Sequence, residues 1–208
     1  YTSSYTLSLH DALPIFQETL GIQVDGRAGV ETWSAIYAAL VKNPSDGKPP
    51  ELAIEHVDPR SEASIATLLP QVQPMARALV QKASACGIQI RVISGLRSYA
   101  EQDALYAQGR TAPGTKVTNA RGGYSNHNFG IAFDIGVFSG NTYQAESPKY
   151  KAVGVLGTEL GLEWGGNWTS IVDQPHFQLR PAWANALTEK DMLASLRARL
   201  ASGSPVYT

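Results

Sequence analysis

The chain has 208 residues, 43% hydrophobic and 17% charged, a composition that excludes a disordered or collagenous protein and suits one medium domain plus a small one. A formal net charge of −1 offers no global basic field for nucleic acid, so no such partner is expected. No apolar run approaches the roughly 18 residues that span a membrane, and the single cysteine excludes an intrachain disulfide or a thiol-rich metal site.

Tyr5–Ile15, YTLSLHDALPI, resembles the translation of a sequencing-adapter oligonucleotide. Residues 1–15 are therefore expected to be an assembly artefact and carry no weight in fold or targeting arguments, His10 and Asp11 included. No export signal is visible. Trp33, Ile36, Tyr37 and Leu40 recur at helical spacing after a turn at Asp25-Gly26. Leu20–Trp33 reads L-G-x-x-V-D-G-x-x-G-x-x-T-W, which resembles the second half of a small three-helix peptidoglycan-binding module. The resemblance implies a truncated module over 16–42. The run KNPSDGKPP that follows reads as a linker, bounded at 43–50.

From residue 51 to 208 the chain reads as one compact domain. A helix is predicted over Gln73–Ala85, with Pro74 in its first turn and Gly87 as its stop. Cys86, at the end of that helix, is expected to be a buried structural thiol. Ile88–Ser94 alternates as a strand. Ser98 and Glu101 form a capping-box pattern for a helix from Tyr99 to Gln108 that ends at Gly109. Thr111–Asn128 reads as a long loop of the kind that carries function, and Phe129–Phe138 as a central strand. A further helix runs from Ser147-Pro148 to near Gly161, His176–Leu179 is a short strand, and Pro181–Leu200 is a terminal helix or helix pair. There is no internal repeat. Helices and strands do not alternate as βαβ units, so the expected class is α+β, a small antiparallel sheet flanked by helices, with a small helical N-terminal module.

Two histidines have unusual settings: His127 in SNHNFGIAFD, seven residues before Asp134, and His176 in DQPHFQ. Catalytic zinc takes three nitrogen or oxygen ligands and keeps a fourth position for water, which a His, an Asp and a second His satisfy. Asp134 stands between Phe133 and Ile135, whose side chains point to the opposite face of a strand. A carboxylate there is costly unless paired or bound to a metal. Spacing alone leaves a turn residue before Gly136 equally open. His56 has no partner motif and is expected to be structural or exposed.

The ordered motifs S-x-H-x-x-G-x-A-x-D and D-x-P-H-F, with SGLRS at Ser94–Ser98 and LEWGGNW at Leu162–Trp168, resemble the zinc D-Ala-D-Ala carboxypeptidase and L-alanyl-D-glutamate endopeptidase family. The match runs from about Ile54 to Arg180. The resemblance implies one zinc ion on His127, Asp134 and His176, with Asp173 as general base and Arg97 as the cation that polarises the scissile carbonyl. It places Ser125 and Gln102 at the substrate site, although either is also a plain loop or helix-surface hydrogen-bonder. Trp164 is a candidate cleft-wall residue with core packing as the alternative, and Glu163 is assigned a structural or subsite role. The resemblance further implies a monomer that acts on peptidoglycan at the cell wall, cutting the stem peptide between L-Ala and D-Glu. A D,D- or L,D-carboxypeptidase using the same site and a catalytically silent wall-binding protein are the alternatives. A wall-binding module in front would raise the enzyme's local concentration on an insoluble substrate.

Overall fold

In the computed structural model the described residues are 56–169 and 171–208, all within one unit, Leu52–Thr208. The adapter-like segment, the truncated module and the linker lie outside them.

The first described helix, α1 (Pro59–Ile65), starts where Asp58 accepts from the Ser61 amide and Pro59 supplies the preset φ of a first helical turn. Its Glu62 takes a forked pair of hydrogen bonds from Arg77 of α2 (Gln73–Ala85), at 2.9 and 2.8 Å, and one from the Val57 amide at 2.9 Å. The Arg77 hydrogen bonds outweigh the upward push of burial and hold the Glu62 carboxyl at about 2 against an ordinary 4.5. The depressed value means that the ionised form stabilises the fold. That contribution is complete above about pH 4.5 and disappears as pH falls through about 2. Glu62→Gln is expected to cost about 1–2 kcal/mol at neutral pH, with partial solvent screening already discounted. The difference should shrink in urea titrations repeated from pH 5 down to pH 2, and a pH-independent difference would remove the ion pair as its cause.

Cys86 caps α2 and is exposed rather than buried, contrary to expectation, because the apolar side of α2 ends at Ala83 and residues 84–87 all face solvent. Strand β1 (Ile90–Ser94) leads to α3 (Tyr99–Ala107), whose N-terminus carries the complete Ser98–Glu101 capping box. The sheet continues through β2 (Ala132–Ser139), its hairpin partner β3 (Thr142–Gln144), β4 (Glu163–Trp164) and β5 (His176–Gln178). Every pairing is antiparallel, in the order β1-β2-β5-β4, with β3 against the end of β2. Helix α4 (Lys149–Glu159) lies between β3 and β4 in sequence, and α5 (Glu189–Ser202) closes the domain. The α+β class and antiparallel sheet are as expected. The predicted start of β2 is instead a 3-10 turn, Asn126–Phe129, closed by Gly130 at φ +67°, so the strand begins three residues later than expected.

The pleat sorts the sheet into two chemically distinct faces. Ile90, Val92, Phe133, Ile135, Val137, Trp164 and Phe177 point to one side and join Leu79, Ala83, Tyr150 and Val153 of α2 and α4 in the main core. Phe133 and Phe177 are directly paired, fully buried and stacked with centroids 5.8 Å apart, and burial of each contributes about 1.5–3 kcal/mol. The other side carries Ser94, Asp134, His176, Gln178 and Glu163 in register: Ser94 opposite Asp134, Asp134 opposite His176, and Gln178 opposite Glu163. A bulge between Val92 and Ser94 brings the serine, rather than Ile93, beside Asp134. A second cluster, built on Phe129, Ile131, Met192 and Leu196, seats α5 beside this polar face.

Candidate metal centre and active site

His127, Asp134 and His176 each offer one ligand atom, and these atoms lie within 4.8 Å of one another. His127 comes from the 3-10 turn, whereas Asp134 and His176 are a cross-strand pair of β2 and β5. Asp134 Oδ1 is 3.2 Å from His127 Nε2 and 3.4 Å from His176 Nδ1. The two imidazoles stand edge to face, 5.1 Å apart. Both histidines are buried, and the remaining nitrogen of each ring faces an oxygen acceptor: His127 Nδ1 lies 2.8 Å from the Gly95 carbonyl, and His176 Nε2 lies 2.9 Å from Gln178 Oε1. Metal-ligating histidines show this arrangement, one nitrogen toward the ion and the other N–H donated outward. The donor set and its geometry therefore fit a zinc ion with an open position.

Burial alone would raise the Asp134 carboxyl, but the charge and hydrogen bonds of His127 and His176 outweigh it and hold the group well below the usual carboxylate range. Asp173 behaves oppositely. Burial and then the negative charge of Asp134 push its carboxyl above the ordinary value, with His176, His127 and Arg97 pulling it back. An elevated carboxylate suits a general base. Its backbone is fixed by the Asp173 amide to the Gly165 carbonyl (3.0 Å) and by the His176 amide to the Asp173 carbonyl (3.2 Å). Gly165 makes that turn possible. A Cβ there would lie 2.5 Å from the Asp173 carbonyl oxygen and 3.1 Å from the His176 Cβ. Gly165→Ala is accordingly expected to displace the turn that holds Asp173 and lower turnover about 10²-fold. A Gly165→Ala enzyme that turns over at the wild-type rate would show that this packing does not set the base.

Arg97 is positioned by three contacts. Its amide donates to the His127 carbonyl (3.0 Å), Nη1 donates to Gln102 Oε1 (2.8 Å) and Nη2 donates to Ser94 Oγ (3.0 Å). Nη2 also lies 3.7 Å from Asp134 Oδ2. The guanidinium thus borders the metal cluster with its fork half-occupied by uncharged acceptors.

These groups open into a cleft of about 1380 Å³ lined by Arg97, Ser125, Asp134, Trp168, Asp173 and His176, among others. That exceeds the roughly 300–1,000 Å³ of small-molecule pockets and suits part of a polymer. Ser125 lies on this wall. Gln102 does not. It is fully buried, and its amide donates to the Ala120 carbonyl (2.8 Å), so it ties Arg97 to the 118–120 loop. Trp164 packs into the core, paired with Phe177, with its indole N–H on the Gln174 carbonyl and only an edge toward the cleft. The aromatic ring against the metal cluster is Trp168, 4.9 Å from the His176 ring. His56 is exposed, near Glu62. Gln178, which faces His176, and Asn126 and Glu189, which line the cleft, carry no motif that singles them out in the sequence. The positions of Asn126 beside His127 and of Gln178 two residues after His176 were the available signals.

A histidine and a carboxylate paired on one sheet face, a second histidine from the adjoining 3-10 turn, a half-buried carboxylate beside them and a flanking guanidinium define a metallopeptidase centre. Residues 118–179 match the family model described as D-alanyl-D-alanine carboxypeptidase. The chain is 39% identical over 126 residues to the peptidoglycan L-alanyl-D-glutamate endopeptidase CwlK of Bacillus subtilis, covering 55% of this chain and 74% of that protein. It is 29% identical over 122 residues to the L-alanyl-D-glutamate peptidase of Listeria phage A118, covering 57% of this chain and 40% of that one. Among solved structures, the L-Ala D-Glu endopeptidase ChiX of Serratia marcescens superposes with a TM-score of 0.44 at 24% identity, covering 62% of this chain and 93% of ChiX. The chain belongs to this family of cell-wall peptidases and is a zinc metallopeptidase.

Proposed function

We propose that this chain is a peptidoglycan endopeptidase that hydrolyses the stem peptide between L-Ala and D-Glu, with zinc on His127, Asp134 and His176. The likeness to the Bacillus endopeptidase over three quarters of its length carries the choice of bond. The arrangement of Asp173 and Arg97 around the three candidate ligands supports the chemistry. Bound zinc supplies Lewis-acid activation of water and of the scissile carbonyl. Asp173 takes the proton from the attacking water on its carboxylate and returns it to the departing amine of D-Glu. Arg97 donates to the carbonyl oxygen as negative charge develops there, with its guanidinium held in place by Ser94 and Gln102. Ser125 and Trp168 border the peptide.

All these side chains come from one chain, which supports action as a monomer. No helix among the described residues is long and apolar enough to cross a membrane, and the proposed place of action is the cell wall. Digestion of purified peptidoglycan with the zinc-loaded protein, followed by mass spectrometry of the products, is expected to yield new N-terminal D-Glu. Release of free D-Ala alone would replace this reading with the carboxypeptidase activity that the family description names. Intact peptidoglycan would favour a silent wall-binding protein.

A further inference from the structure

Behind His176, on the side away from the other two ligands, five polar side chains form a closed ring. Gln178 Oε1 faces His176 Nε2 at 2.9 Å and also accepts from Asn126 Nδ2. Gln178 Nε2 donates to Glu163 Oε2 at 2.6 Å. Arg180 Nε donates to Glu163 Oε1 at 2.6 Å, and Arg180 Nη2 donates to Glu189 Oε2 at 2.8 Å. The second hydrogen of the Asn126 amide goes to Glu189 Oε1.

The directions of these bonds are not interchangeable. A carboxylate only accepts and a guanidinium only donates. Arg180 anchors both Glu163 and Glu189, so each carboxylate presents an acceptor to the amide beyond it. Gln178 must therefore turn its NH₂ to Glu163 and its oxygen to His176. Asn126 must turn its NH₂ inward, which aims a second donor at the same Gln178 oxygen. A flipped Gln178 would set its NH₂ against the Asn126 NH₂. Gln178 is fully buried, so no water relieves a wrong choice. An oxygen facing His176 Nε2 keeps the proton on that nitrogen and leaves the Nδ1 lone pair for the ion. The arrangement has a visible cost, because the buried Asn126 Oδ1 has no hydrogen-bond partner among the described residues.

We propose that Gln178 is a positioning residue that sets the metal-binding tautomer of His176, and that Glu163, Glu189, Arg180 and Asn126 fix its amide orientation. The inference rests on the reading of His176 as a zinc ligand. It gives a function to Glu163, a carboxylate beside the site that the hydrolytic mechanism does not use. It also couples the 3-10 turn that carries His127 to β5 and to the first turn of α5.

The test inverts one bond of the ring. In Glu163→Gln, the new amide turns its oxygen to Arg180 and its NH₂ to the Gln178 NH₂, so Gln178 is driven to flip and offers a donor to His176 Nε2. In the double variant Glu163→Gln with Gln178→Glu, the carboxylate at 178 accepts from His176, Asn126 and the amide at 163, and the net charge equals that of the wild type. Zinc affinity is measured by chelator competition, and the His176 tautomer by ¹⁵N NMR of the zinc-loaded protein, with His176→Ala as reference. Glu163→Gln is expected to weaken zinc about 10–100-fold, and the double variant to recover most of that loss with the Nε2-protonated tautomer. Gln178→Met, which removes the acceptor at similar volume, should behave like Glu163→Gln. If His176→Ala retains zinc, the ligand assignment fails. If His176→Ala loses zinc while Glu163→Gln and Gln178→Met bind within twofold of wild type, or the double variant does no better than Glu163→Gln, the positioning role fails and the ligand assignment stands.

Discussion

Replacement of Asp173 by alanine is expected to lower turnover on peptidoglycan by about 10²–10⁴-fold, the span that a positioned general base contributes, while one zinc ion per chain stays bound. Two features separate this carboxylate from the ligand set. It stands outside the cluster of three ligand atoms, and its backbone, not its side chain, carries the bonds that shape the turn before His176. Alanine keeps those bonds and deletes only the proton acceptor. Zinc stoichiometry by elemental analysis and rates of dye release from labelled wall material give the two readouts. Asp173→Glu keeps a carboxylate and serves as the control for packing. Undiminished lytic activity in Asp173→Ala would assign the base elsewhere, with Glu163 the next carboxylate on the cleft wall.

The second large effect concerns Asp134. Asp134→Ala should abolish stoichiometric zinc binding, because it deletes one of three ligands. The loss should exceed the roughly 10–100-fold that removal of an outer-shell partner costs. Activity should fall with the metal. Without the ion the carboxylate is held by His127, His176 and Arg97, so the apo protein should also respond to the change. Circular dichroism of the apo variant therefore accompanies the titration. A folded Asp134→Ala protein that binds zinc like the wild type would return Asp134 to the turn role that spacing alone left open.

Helices were legible where their ends carry local chemistry. Pro74 and Gly87 bracket α2, the Ser98–Glu101 box starts α3, and Gly161 follows α4. Such signals act within one turn and need no partner. The short elements were not legible. Thr142–Gln144 and Glu163–Trp164 hold too few residues for a periodicity to show, and they become strands only because β2 and β5 offer them unpaired edges. The exposure of Cys86 and the burial of Gln102 were misjudged for a related reason. Burial depends on what packs across an element, and near its end neither residue type nor helical position decides that.

The sequence by itself offered His127, Asp134 and His176 as candidate ligands, Asp173 as candidate base and Arg97 as candidate cation, because their ordered motifs resemble those of a zinc peptidase family, whereas spacing alone left Asp134 open. Their mutual support was decided only by the tertiary structure. The Val92–Ser94 bulge brings Ser94 beside Asp134, the β2–β5 register places Asp134 against His176, and the β4–β5 register places Glu163 against Gln178. Strand register has a period of two, so a slip of one residue would turn every one of these groups into the core. Which polar side chain orients a ligand is therefore a property of the paired sheet and of the helix docked beside it.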